Sequence, residues 1–514
     1  MNAVAPVWSA PWQGELDGLS VRDLIELRAR RTPDAVWLID PASGETLCYA
    51  DLLERCRHIA GSVVAAGVAP GASVAFAASN SAASALALLG ILFSGRRVTA
   101  VNLVAGQDTI AYVLSHSQST LVLCDESGRE AIPDAALDGI QCMAIADALS
   151  APQASSLPPL DAGDDGLLMY TSGTTGRPKG VRLSHANLLA GGSNTALAHQ
   201  IDADDRALCV LPLYHINGLC VTVLAPLVSG GSVVMPPRFS VSAFWPLLAD
   251  HQCTWFSVVP TQISWLVHGD HDRIRGESDR LRFGRSASAP LSPDVHRAFE
   301  ARFDLPVIET MGLTETAAQI LSNPMPPGVS KHGSPGVAVG NDVSIVDADT
   351  GQRCDPGVEG EIRVRGANVM LGYLNNPEAT AEALTHDGWL CTGDLGRMDD
   401  EDYVFVTGRL KELIIKGGEN IAPREIDEAL LTHPDVIEAA AFACPCDDYG
   451  QRVEAGVVLR EASGTGADDL REHCRSRVGA FKMPDRVYLL ESLPKGPSGK
   501  VQRLKLAALL QGAE

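Results

Sequence analysis

Tyr170-Thr171-Ser172-Gly173-Thr174-Thr175-Gly176-Arg177-Pro178-Lys179-Gly180 follows an apolar run, Leu167-Leu168-Met169. Its three glycines let backbone N–H groups approach an anion closely. The hydroxyls of Thr171, Ser172, Thr174 and Thr175 add donors, and Lys179 adds a positive charge. This is chemistry for a polyphosphate. It is not the P-loop of NTPases, which needs a glycine directly before its lysine, where Pro178 stands. The apolar run reads as a strand, and from Val181 onward the chain runs into a helical stretch.

The same alternation extends upstream. Leu19-Ser20-Val21-Arg22-Asp23 opens a helix with Ser20 as N-cap. Val36-Trp37-Leu38-Ile39, Val74-Ala75-Phe76-Ala77 and Thr120-Leu121-Val122-Leu123-Cys124 read as strands, the last two as buried parallel ones. Helices between them make βαβ units. Ala82 to Phe93 is the most apolar stretch, too short for a membrane span of about 20 residues, and reads as a buried helix. Downstream the pattern resumes from Leu208 to about residue 310.

From about 335 to 405 short strands stand between Gly, Asp and Pro turns: Val343-Ser344-Ile345-Val346, Gly360-Glu361-Ile362-Arg363-Val364 and Tyr403-Val404-Phe405-Val406. They suggest a small β-barrel or meander. After Gly408 a helix over 423–432 and strands over 436–443 and 453–459 form another unit. The expected fold is therefore α/β. A large N-terminal domain of layered α/β subdomains plus a small β-barrel spans 1–408, and a small α+β C-terminal domain spans 409–514. A length of 514 residues agrees, because one core rarely grows past roughly 250–300 residues.

Composition excludes several classes. With 46% hydrophobic and 20% charged residues the chain is neither disordered nor fibrous. Lys and Arg total 41 against 63 Asp and Glu, a net charge of −22. No basic excess marks a nucleic-acid binder, and nothing marks a membrane protein. The 12 cysteines have no framework spacing, and Cys444-Pro445-Cys446 lacks partners at zinc spacing. Met1 to Glu15 carries no Lys or Arg and is not a secretory signal. A cytoplasmic location is expected.

More motifs follow the loop in order: Pro212-Leu213-Tyr214-His215-Ile216-Asn217-Gly218, Met311-Gly312-Leu313-Thr314-Glu315-Thr316, Thr392-Gly393-Asp394-Leu395, Gly408-Arg409-Leu410-Lys411-Glu412 and Pro494-Lys495-Gly496-Pro497-Ser498-Gly499-Lys500. Over about residues 20–505 the chain resembles the adenylate-forming enzymes: acyl-CoA synthetases, luciferases and peptide-synthetase adenylation domains. The resemblance implies an AMP-forming acid–CoA ligase. Such an enzyme activates a small carboxylic acid with ATP, giving acyl-AMP and pyrophosphate, and passes the acyl group to CoA. A carrier-protein thiol as acceptor, or a medium- or long-chain or aromatic acid, are the alternatives.

The resemblance also implies site roles. Thr171, Ser172, Gly173, Thr174, Thr175, Gly176 and Lys179 would bind ATP, with Thr314 on phosphate and Glu315 holding Mg²⁺, for which a carboxylate oxygen is a suitably hard ligand. Asp394 and Arg409 would meet the ribose. Lys500 would stabilise adenylation as a point charge. In the second step the C-terminal domain would rotate about a hinge at Lys411, and Gly417 and Gly418 would let the pantetheine arm pass. The acyl pocket would draw on His215, Asn217, Arg285, Ser286, Ala287 and Met311. His215 counts among the catalytic candidates by its place near the acyl group.

Met311 stands where the family usually has an aromatic residue against adenine. Arg285-Ser286-Ala287-Ser288-Ala289-Pro290 resembles oxalate–CoA ligases, but Asn217 and Ala318 replace histidines of those enzymes. Trp255, Phe256, Val259, Thr261 and Gln319 are further pocket candidates, the first two reading more readily as core. The implied acid is short, with a second acidic group, like oxalate or sulfoacetate.

Overall fold

The structure, a computed structural model, describes residues 13–171, 177–274, 280–446, 448–460, 463–495 and 501–511. The chain divides into two compact units, Met1–Val343 with Val364–Leu390 and Ser344–Arg363 with Cys391–Glu514.

The first unit holds two large sheets. In the seven-stranded one, Ser73–Ala77 lies between Arg97–Ala100 and Leu121–Cys124, all parallel. Every residue of Ser73–Ala77 and Leu121–Cys124 is buried, as the unbroken apolar runs require. The expected helix at Ser20 runs Val21–Arg31, its first turn closed by a capping box of Ser20 and Asp23. Ala82–Phe93 is a helix buried nearly all round. Among the described residues no helix is long and apolar enough to cross a membrane.

Beyond the glycine-threonine loop the structure differs from expectation. Asp165–Thr171 turns back into an antiparallel strand, Lys179–Ser184, with Thr171 opposite Lys179. The helix begins only at His185, capped by Ser184. Val181 and Leu183 are buried while Arg182 between them is not, a period-two pattern that wins a strand. The loop therefore joins a hairpin rather than opening a helix.

The nine-stranded sheet has a parallel centre, in which Val307–Leu313, Phe283–Ser286, Trp255–Val258, Arg206–Cys209, Ser232–Val234 and Val36–Asp40 are neighbours in that order. Ala318–Ser322 folds back antiparallel on Val307–Leu313. Trp255 is fully buried and stacks on Phe283 at 5.8 Å, and Phe256 lies in a separate apolar cluster. Both are core residues.

Asp342–Val346, Gly360–Arg365, Leu390–Met398 and Val404–Arg409 are neighbours in chain order, the meander of the two expected forms, and most of their residues fall in the second unit. The rest is α+β. Pro423–Leu431 and Ala467–Lys482 share a core with the long hairpin Val436–Cys446 and Gly450–Leu459.

Candidate active site

Three parallel strands of the nine-stranded sheet, Trp255–Val258, Phe283–Ser286 and Val307–Leu313, deliver their carboxyl ends to one region of the first unit. In open α/β sheets this is where ligands bind. Ser257 pairs with Arg285 across the strands, so both side chains stand on one face. Arg285 is 1% exposed. Its Nη1 donates to Asn217 Oδ1 (2.9 Å) and Ser257 Oγ (3.1 Å), and its Nε and Nη2 reach Gln319 Oε1 at 3.4 and 3.3 Å. Among the described residues no carboxylate is paired with it. Burial pushes its pKa down to about 9, the cost of a guanidinium far from water. The group stays charged at neutral pH, held by neutral acceptors alone.

Asn217 reaches Arg285 from an unusual element. Asn217–Leu224 is π-helical, a conformation that recurs at functional sites. Gly218 permits it: a Cβ there would lie 2.2 Å from the Pro212 carbonyl oxygen. The Asn217 amide nitrogen donates to Ser288 Oγ (3.2 Å), and Ser288 itself sits at φ +75°. A non-glycine residue in that region stores strain of about 1–3 kcal/mol, typical of a binding site. Ser286 and Ala287 are buried beside it, whereas His215 and Met311 are half-buried.

Of the loop expected to bind phosphate, Ser172, Gly173, Thr174, Thr175 and Gly176 lie outside the described residues. The hairpin on either side places Thr171 and Lys179 as cross-strand partners. Lys179 Nζ lies 4.8 Å from the centre of the Tyr373 ring, a cation–π contact. The Tyr373 hydroxyl donates to Glu315 Oε1 at 3.1 Å. Burial, with the neighbouring Glu315 carboxylate, keeps the phenol protonated. Lys179 and Glu315 thus meet on either side of one tyrosine. Thr314–Thr316 is a tight turn, followed by Ala317 and Ala318 at φ +45° and +87°. A carboxylate such as Glu315, oriented by Tyr373, could hold a hard cation such as Mg²⁺.

In the second unit Asp394 and Arg409 are register partners, and Arg409 Nε donates to Asp394 Oδ1 at 2.7 Å. Asp394 is 4% exposed. Lys411 is exposed in the short turn Leu410–Glu412. Gly417 and Gly418, at φ +59° and +86°, form the two-residue turn between Ile414–Lys416 and Glu419–Ile421. That turn needs left-handed backbone at both positions. Lys500 lies outside the described residues.

Ser257 and Tyr373 were not foreseen. The signal for Ser257 was a lone hydroxyl inside an otherwise apolar strand, Trp255–Val258. Tyr373 left no local signal, because only the pairing of Gly372–Tyr373 with Lys179–Ser184 brings it to Lys179.

Two family models match the chain. AMP-binding enzyme covers residues 25–374, and AMP-binding enzyme C-terminal domain covers 425–500. A sulfoacetate–CoA ligase of Cupriavidus necator is 48% identical over 94% of this chain and 96% of its own. An oxalate–CoA ligase of Arabidopsis thaliana is 35% identical over 95% and 98%. The crystal structure of ATP-bound MatB from Rhodopseudomonas palustris superposes with a TM-score of 0.89 at 30% identity, covering 96% of this chain and 100% of that one.

Proposed function

The chain belongs to the AMP-binding enzyme family and is an AMP-forming acid–CoA ligase, and we propose that the acid it activates is short and carries a second anionic group, a sulfonate or a carboxylate. Arg285 carries this reading. A buried guanidinium whose partners among the described residues are all neutral has no counterion there, and an anionic tail on the substrate supplies one. One Nη2 hydrogen is left over from these bonds, and a charged oxygen of the substrate is a stronger acceptor for it than a neutral amide. Two relatives named for sulfoacetate and oxalate agree with a short, doubly anionic acid.

In the proposed first step a carboxylate oxygen of the acid attacks the α-phosphorus of ATP and pyrophosphate leaves. In the second the CoA thiol loses its proton, attacks the acyl carbon and displaces AMP. Both partners of the first step are anionic, so fixed positive charge must meet them. Lys179 and Thr314 are proposed to contact phosphate, with Tyr373 orienting Glu315. Glu315 would hold Mg²⁺, which when bound screens the phosphate charge. Asp394 and Arg409 are proposed to meet the ribose, and Lys500 the reacting oxygens, as the resemblance implies. Lys411 as hinge and the Gly417–Gly418 turn as the CoA path are proposals of the same standing. The thiols, such as Cys124 and Cys142 with sulfurs 3.4 Å apart and unbonded, suit the reducing cytoplasm where we place the enzyme.

Pyrophosphate release measured on sulfoacetate, oxalate, acetate and a long-chain fatty acid tests the reading. The doubly anionic acids should give the highest kcat/KM. Arg285→Met should cut that value by about 10²–10³-fold and change acetate far less, since it unpairs a buried anion. Preference for the fatty acid, or equal loss on acetate, would overturn it.

A further inference from the structure

Away from the acyl pocket, in the same unit, two histidines and a glutamate converge. His296 and Glu300 are one turn apart on the helix Pro293–Phe303. His332 comes from the segment between strands Ala318–Ser322 and Val337–Ala338. One ring nitrogen of each histidine and one oxygen of Glu300 lie within 4.8 Å of one another. Glu300 is central: Oε2 is 3.1 Å from His332 Nε2, and Oε1 is 3.5 Å from His296 Nε2. Two ligands bound at about 2.0–2.2 Å to one tetrahedral ion stand roughly 3.4 Å apart. Glu300 and His332 already stand near that spacing, and His296 would ligate through Nδ1, the ring nitrogen that does not donate to Val307.

A single residue orients two of the three ligands. The Val307 N–H donates to Glu300 Oε1 (3.2 Å), and the Val307 carbonyl accepts from His296 Nε2 (2.7 Å). Such outer partners fix the ligands of known metal sites. His296 is fully buried, and its Nδ1 finds no partner among the described residues, so the protein alone does not satisfy this ring. His332 and Glu300 are half-buried, which leaves a route for an ion and for solvent ligands.

We propose that His296, Glu300 and His332 bind a divalent first-row transition ion of the Zn²⁺ type. Two imidazoles and a carboxylate are donors for such an ion rather than for Mg²⁺, which prefers oxygen alone. The ion ties the segment bearing His332 to the helix Pro293–Phe303. That segment directly follows the strand carrying Gln319, so the site is a structural clamp behind the pocket wall and takes no part in adenylation. It stands independently of the acid that the enzyme activates.

Co²⁺ titration of the full chain in excess Mg²⁺ tests the site. Wild type should take up one equivalent with visible d–d bands and no thiolate charge-transfer band, which separates the site from the cysteines. Zn²⁺ should then displace the Co²⁺ and raise Tm. His332→Ala should lose that equivalent, or bind it weaker by at least the about 10–100-fold that a lost outer partner costs. His332 is half-exposed, so this variant should fold and keep its pyrophosphate release. Glu300→Gln should behave alike. Equal stoichiometry and spectra in wild type and His332→Ala, or no uptake by wild type, would overturn the proposal.

Discussion

Arg285 donates to Asn217, Ser257 and Gln319 and keeps its charge in the interior with no counterion among the described residues. Arg285→Met removes a desolvated charge but takes the donor from the buried Gln319 and Asn217 oxygens, at about 1–3 kcal/mol for each left unsatisfied. It should therefore melt lower than wild type without acid. Sulfoacetate should raise Tm only in wild type, as differential scanning fluorimetry would read. Lys500 gives a second residue-scale expectation. Lys500→Ala should slow pyrophosphate release by about 10²–10³-fold, the usual loss of a transition-state charge contact. A change within about threefold would remove the role assigned to it by resemblance. Arg285, Asn217 and Glu315 were legible because each sits in a contiguous motif. Ser257 and Tyr373 were not, since their partners Arg285 and Glu315 stand 28 and 58 residues away in the chain. Contacts of that range are fixed by strand pairing, which no local string states.

Among elements, the π-helical Asn217–Leu224 rests on one position. The Gly218 α-carbon is too close to the Pro212 carbonyl for any side chain. Gly218→Ala should shift the start of this element and with it Asn217. The expected loss is about 1–3 kcal/mol of stability, the range for overpacking, with a raised KM for the acid. Chemical denaturation and steady-state kinetics would measure both. The motif around Asn217-Gly218 was visible in the sequence, but its conformation was not. Helical and π-helical turns share the same composition, and the choice is made by packing. Val21–Arg31 was legible for the opposite reason, since Ser20 and Asp23 cap it within one turn. The strand Lys179–Ser184 was missed because Val181 and Leu183 give only two points of a period-two pattern before the helix begins.

For the whole molecule, two buried histidines set how stability responds to acid. Burial pushes His185 down to about 4 and His199 well below its ordinary value. The His185 Nδ1 accepts from the Val21 N–H, and its Nε2 finds no acceptor among the described residues, so the ring is neutral when folded. In the unfolded chain both titrate near 6.5. Below that pH the unfolded state takes up protons that the native state refuses, so stability falls as pH drops from about 6.5 toward 4 and is unaffected above. His185 alone should account for roughly 2–3 kcal/mol by pH 4. Tm measured from pH 8 to 5 should fall less steeply in His185→Gln. At this scale the α/β class and the change of texture after residue 335 were readable from periodicity. The division into units was less so, because the second unit gathers Ser344–Arg363 and Cys391–Glu514 from either side of Val364–Leu390. On the proposed reading, the Arg285 guanidinium, with no counterion among the described residues, makes the stability of the enzyme depend on its acid. A fold completed by its substrate is proteolysed faster when that substrate is scarce, because more of it is transiently open. Enzyme abundance would then track supply of the acid without any change in transcription, and the half-life of the protein would report what the cell is being fed.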